Sequence, residues 1–129
     1  RGVRLGLAGV PLIIGESAIE APVQACVESL NLHLYHDLSA ARHDPYGVAF
    51  QAFPTEVAAA QHAAQHLLTQ TRPAAVVVTE KVGPNRLGKA HSAMGFAIPD
   101  GARALVEYLL DAAHTAGLPT IGVGDNGNE

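Results

Sequence analysis

One cysteine, no tryptophan and only six phenylalanine and tyrosine residues together mark this 129-residue chain. A single thiol, Cys26, excludes an internal disulfide framework and suits a reducing compartment. Lying beside Ala25, Val27 and Leu30, it is expected to pack in the core. Charge is also sparse: 16% of residues are Asp, Glu, Lys or Arg, against about a quarter in an average soluble domain. The 48% apolar content excludes a disordered chain. The net charge of −4, with eight Lys plus Arg scattered along the sequence, leaves no basic stripe to neutralise nucleic acid phosphates. No apolar run approaches the roughly 20 residues of a membrane-spanning helix, and no charged region followed by a long apolar segment opens the chain. Together these absences read as a cytoplasmic protein without nucleic acid or membrane partners.

The length suits one α/β domain with one core. The start at Arg1 in an apolar context, and the stop just after a glycine-rich loop, read as an excerpt of a longer chain in which a helix follows Glu129.

Strands alternate with helices in the pattern. Val10 to Ile14 is a short apolar run ending at Gly15-Glu16-Ser17. A helix follows from about Glu20 to Asn31, with Pro22 in its first turn and Val23, Ala25, Cys26, Val27 and Leu30 as its apolar stripe. Leu32 to His36 alternates as a strand, Ser39 to Gly47 has no apolar period and reads as a loop, and Val48 to Phe53 is a second run. Thr55 is placed to cap a helix with Val57, Ala60, Ala64, Leu67 and Leu68 inward, ended by Pro73. The continuous run Ala74 to Thr79 predicts a parallel strand covered on both faces. Asp100 is placed to cap a helix reaching Ala116, with Gly117 left-handed behind it and a last strand from Pro119 to Val123. Such alternation implies right-handed crossovers in a three-layer sandwich, a mainly parallel sheet with helices on both faces.

Two polar, glycine-punctuated loops stand out against this apolar pattern. One is Glu80-Lys81-Val82-Gly83-Pro84-Asn85-Arg86-Leu87-Gly88; the other is Gly122-Val123-Gly124-Asp125-Asn126-Gly127-Asn128-Glu129. Each leaves an apolar strand at its carboxyl end, the edge where open α/β sheets bind ligands, and glycines there let backbone N–H groups approach an anion.

At these residues the chain resembles the D-glutamate cyclase-like C-terminal domain family, whose members close D-glutamate into 5-oxo-D-proline with loss of water. The family pattern is a strand ending in Glu-(Lys/Arg)-x-Gly, a loop with a further Gly, a helix, and a strand into Gly-x-Gly-Asp-Gly-Gly-Asn-Glu. Glu80-Lys81-Val82-Gly83 with Gly88 is similar to the first part and Gly122 to Glu129 to the second. Asn126 stands where relatives have Gly, His91 and Ser92 where many have Tyr and Asn, and Glu16 to Pro22 loosely echoes the acidic turn before the family's first helix. The resemblance implies a lyase of D-amino acid metabolism acting on a small anionic amino acid.

Lactam closure needs a neutral α-amine and a neutralised γ-carboxyl. Glu80, Asp125 and Glu129 are the acid/base candidates for the two proton transfers. Lys81 and Arg86 are the anion-binding candidates, Gly83, Gly88, Gly124 and Gly127 offer N–H donors, and Asn85, His91, Ser92, Asn126 and Asn128 complete the substrate-binding set. Holding both ends of one bent molecule itself contributes on the order of 7 kcal/mol or more. Asp125 and Glu129 also suit Mg2+ or Mn2+, hard cations that take oxygen ligands, so a divalent cofactor is compatible but not required. Self-association into a homo-oligomer is equally compatible.

Plainer readings stand beside these. Asp125 to Glu129 is also the composition of a tight turn capping a next helix, and Glu80-Lys81 of a solvated ion pair. His62 and His66 lie four apart, but Ala63 stands where a zinc peptidase has Glu, and Gln61 and Gln65 mark a solvated face. His33 and His36 have no carboxylate at zinc spacing, His114 falls near a helix end, and Ser17 lacks the second glycine of a nucleophile elbow. The alternative function is a non-catalytic module that binds a small anionic metabolite or nucleotide at the same strand ends.

Overall fold

The structure is a computed structural model that describes residues 1–125. Its architecture is α/β, and the chain divides into two compact units, residues 1–53 and residues from Pro54 onward.

In the first unit β1 (Leu12–Gly15), α1 (Glu20–Ser29), β2 (His33–Tyr35), α2 (Leu38–His43) and β3 (Gly47–Ala52) follow one another. The three strands form a parallel sheet in the order β1-β3-β2, with Leu12 opposite Ala49 and His33 opposite Gly47. The central strand is the most buried, as a strand flanked on both edges must be: Val48, Ala49 and Phe50 are almost wholly covered. Val27 of α1, Leu32 and Val48 form the core, with Ile13, Val23 and Leu34 packed around it. Burying a side chain such as Phe50 contributes about 2–3 kcal/mol.

Two expectations fail here for physical reasons. Cys26 is exposed, because the buried stripe of α1 narrows to Val27 and the half-buried Val23. The segment expected to be a loop holds the short helix α2. Asp37 caps it, accepting from the N–H groups of Ser39 at 2.9 Å and Ala40 at 3.2 Å. That end is nucleated by a side chain, not by an apolar period. Helix α1 stops as expected near Asn31, which takes the left-handed conformation at φ 54° that asparagine tolerates.

The second unit runs α3 (Val57–Thr71), β4 (Val76–Thr79), α4 (Glu107–Thr115) and β5 (Thr120–Val123), with β4 and β5 paired in parallel as a separate two-stranded sheet. Ala60, Ala64 and Leu67 of α3 and Leu109, Ala112 and Ala113 of α4 are its buried helical residues, and the two helices pack together. Small side chains at that contact let the backbones approach closely. Neither expected cap forms. Glu56, not Thr55, precedes α3, and Asp100 lies in a turn with Gly101, well before α4 begins. Instead, Arg103 clamps Glu107 in the first turn of α4 by two bonds of 2.8 and 2.7 Å. Gly117 ends α4 left-handed at φ 69°, as its sequence position implies. Val77, Ile121 and Val123 share one face of the β4–β5 pair and are exposed, so cover on both faces is not realised for β4 among the described residues.

Gly47 begins β3 where the backbone of α2 comes too close for a side chain. A Cβ there would stand 2.2 Å from the Ala41 carbonyl oxygen. Gly47→Ala is therefore expected to destabilise the protein by roughly 2–3 kcal/mol through backbone displacement. Urea unfolding measures this, and a midpoint equal to wild type would contradict the steric account.

Candidate active site

Parallel pairing brings the two polar loops to one edge. The register of β4 and β5 runs from Val76 opposite Thr120 to Thr79 opposite Val123, so both strands end together. The ladder then continues one step further, the Glu80 N–H donating to the Val123 carbonyl at 2.8 Å. Neighbouring strands lie about 4.8 Å apart. Glu80 and the Gly124-Asp125 pair thus leave the sheet side by side, and Glu80 and Asp125 are both exposed there. Asn126, Gly127, Asn128 and Glu129 lie outside the described residues.

Glu80 is one of four non-glycine residues at positive φ among the described residues, at 50°. That conformation costs a non-glycine residue on the order of 1 kcal/mol and persists only where its surroundings hold it. Strain of this kind gathers at functional positions.

Beyond Glu80 the chain folds into two tandem turns with the same pattern of backbone hydrogen bonds. In the first, the Asn85 N–H donates to the Lys89 carbonyl and the Gly88 N–H to the Asn85 carbonyl, both at 2.9 Å. The Asn85 side-chain oxygen accepts from the Leu87 N–H at 2.8 Å and the Lys89 N–H at 3.1 Å. In the second, the Ser92 N–H donates to Phe96 and the Gly95 N–H to Ser92, both at 2.8 Å, while Ser92 Oγ accepts from the Phe96 N–H at 3.2 Å. Gly88 and Gly95 are left-handed, at φ 73° and 80°. These are three-residue hairpin loops, each a turn closed by a left-handed glycine. Antiparallel bridges Pro84–Ala90 and His91–Ala97 join their arms.

The turns change what several expected substrate-binding residues do. The Asn85 carbonyl oxygen and Ser92 Oγ serve the backbone, and the Gly88 N–H is engaged within its own turn. Arg86 and Gly88 are exposed at the first tip, whereas Lys81, Gly83, His91 and Ser92 are half-buried. Gly124 is exposed beside Asp125. Among the described residues no group of three or more His, Cys, Asp or Glu side chains is arranged to hold a metal ion. No helix among them is long and apolar enough to cross a membrane.

A polar cluster that the sequence did not reveal occupies the first unit. Asp44 Oδ2 stands 2.6 Å from His33 Nδ1 and accepts from the Tyr35 hydroxyl at 2.8 Å, while its Oδ1 accepts from the Tyr46 N–H at 2.8 Å. The Arg4 guanidinium donates to the Asp44 carbonyl. Bonds from the Tyr46 N–H first, then His33 and Tyr35, hold the Asp44 carboxyl below the usual carboxylate range, at about 2. The same contact raises the Tyr35 hydroxyl. His36 likewise meets a carboxylate, Glu20, at 3.3 Å, so both histidines have acidic partners that sequence spacing concealed. His62 and His66 are exposed, their rings stacked at 6.1 Å, as the solvated-face reading implies.

These features define an α/β protein of parallel strands with polar loops gathered on one carboxyl edge. A family model described as D-glutamate cyclase-like, C-terminal, matches residues 9–129, and the chain belongs to that family. No curated protein and no solved structure matches it.

Two predictions follow from these hydrogen bonds. Asn85→Ala should raise amide exchange at Leu87 and Lys89 about fivefold or more, the loss of roughly 1 kcal/mol of local hydrogen bonding, whereas Asn85→Asp retains protection. Exchange unaltered in the alanine variant would show that the side chain does not hold the turn. Asp44 contributes stability that is present above its unfolded pKa of about 3.9 and lost as pH falls through its folded value of about 2. Asp44→Asn should therefore lower the melting temperature at pH 6, and the gap to wild type should close between pH 4 and about 2. A gap that stays constant over that range would rule out the charge as its cause.

Proposed function

We propose that this domain is a lyase that closes D-glutamate to 5-oxo-D-proline with release of one water. The reading is supported above all by the register of β4 and β5, which sets Glu80 and Asp125 on the same sheet edge. Membership of the D-glutamate cyclase-like C-terminal family agrees with it.

In this scheme one carboxylate of the pair takes a proton from the substrate α-ammonium. The freed amine attacks the γ-carboxyl carbon, forming the C–N bond. The other carboxyl group delivers a proton to the γ-oxygen and, once the C–N bond has formed, takes the second proton from the nitrogen. The first group returns its proton to the same γ-oxygen as the C–O bond breaks. Two protons lost by nitrogen are thus matched by two that leave as water, and both side chains regain their starting state. Lys81 and Arg86 hold the negative ends of the substrate and offset charge on the oxyanion. Fixing amine and carboxyl within reach is the larger contribution, because cyclisation of a bound, bent chain is unimolecular. Every proton step is assigned to side chains of this chain; Mg2+ or Mn2+ at Asp125 and Glu129 would polarise the γ-carboxyl further.

The assay incubates the protein with D- and L-glutamate, with and without Mg2+ or Mn2+, and follows 5-oxoproline by mass spectrometry. Turnover is expected with the D-isomer. Glu80→Gln and Asp125→Asn should each lower it by about 100-fold or more with thermal unfolding nearly unchanged, while Arg86→Ala should mainly raise KM. Full activity in both carboxamide variants would sink the scheme, and tight binding of D-glutamate without turnover in wild type would favour an anion-binding module.

A further inference from the structure

We infer that the double hairpin of residues 84–98 is a lid that closes over the strand-end rim when a ligand occupies it. The inference rests on reading that rim as the ligand site, not on which molecule reacts there. Its first support is length and place. Residues 80–106 separate β4 from α4, whereas strand-to-helix connections in α/β units usually take about 2–6 residues. This connection leaves the carboxyl end of β4, the same edge as Glu80 and Asp125. Long ordered connections at that edge are commonly lids or binding loops.

The segment is also built to move as one piece. Its two turns are closed by their own hydrogen bonds, and the Ile98 N–H donates to the Ala90 carbonyl at 2.9 Å across its base, where Ala90 is buried. The left-handed Gly101, at φ 80°, follows it. Backbone rotation there would swing the segment without unmaking it.

What the segment displays gives the third support. Leu87, Met94 and Phe96 are 84%, 81% and 70% exposed, three large apolar side chains within ten residues of one loop. Apolar side chains held in water on an otherwise hydrogen-bonded scaffold gain from any closure that covers them. Over the rim they would lie against the methylene groups of an amino dicarboxylate and exclude water from a reaction that must expel it.

The chain has no tryptophan, so Phe96→Trp creates a lone reporter on the lid. Its emission and acrylamide quenching are read while D-glutamate, L-glutamate, D-aspartate, glutarate and 5-oxo-D-proline are titrated, with calorimetry measuring binding in parallel. Closure predicts a blue shift and a quenching constant reduced about twofold or more for a ligand that binds. Leu87→Ser with Met94→Ser should weaken that ligand about tenfold or more, with unfolding unaltered. Met94→Trp replaces the first reporter should it fail to fold. Binding with unchanged emission overturns the lid and leaves the cyclase reading intact. A shift with a dicarboxylate other than D-glutamate supports the lid and removes D-glutamate as the substrate. If no member of the set binds, both readings fall.

Discussion

The parallel ladder between β4 and β5 is the constraint on which the site depends. Parallel strands joined by a helical crossover must begin and end on the same sides, so whatever follows each strand is delivered to one edge. The register fixes how closely. With Thr79 opposite Val123 and the Glu80 N–H bonded to the Val123 carbonyl, a slip of one residue would turn Glu80 to the other face of the strand. The short apolar run of β4 thus determines where a carboxylate stands as well as what it covers.

Downstream of that ladder, hydrogen bonding separates scaffold from chemistry. Asn85 and Ser92 look alike as substrate ligands, being short polar side chains in a glycine-rich loop. In the structure their oxygens accept from backbone N–H groups two or four residues further along, and they fix the two turns. Arg86, by contrast, stands exposed at the first tip.

Much of the plan was legible in the sequence because it rests on local chemistry. Asn31 and Gly117 end helices for conformational reasons that single residues express, and the apolar runs locate the five strands among the described residues to within a few positions. What escaped depended on partners distant in sequence or on elements too short for a period. Helix α2 spans six residues and owes its start to Asp37. Asp100-Gly101 has the composition of a cap yet makes a turn, because the helix is set further on by the Arg103–Glu107 clamp. The division of the strands between two sheets is likewise absent from periodicity, which reports which faces are apolar and not which edges meet. The tandem turns did leave a signal, Asn-x-x-Gly and Ser-x-x-Gly, but reading each residue for substrate contact hid the repeat.

The cluster around Asp44 shows why a carboxylate's surroundings matter more than its presence in a cleft. Three donors converge on its two oxygens, and its affinity for a proton falls so far that it stays ionised down to about pH 2. A general base works best with a pKa near the operating pH, so Asp44, although paired with a histidine and a tyrosine in an arrangement that resembles a catalytic relay, is suited to holding the loop before β3. It sits where β3 begins, at the amino ends of the first sheet's strands, the edge opposite to the one where α/β sheets receive ligands. Position and proton affinity agree in assigning it to structure. Under the proposed cyclisation, acid/base work would instead fall to carboxylates at a carboxyl edge, and Glu80, held in an unfavourable backbone conformation at the end of β4, stands at one.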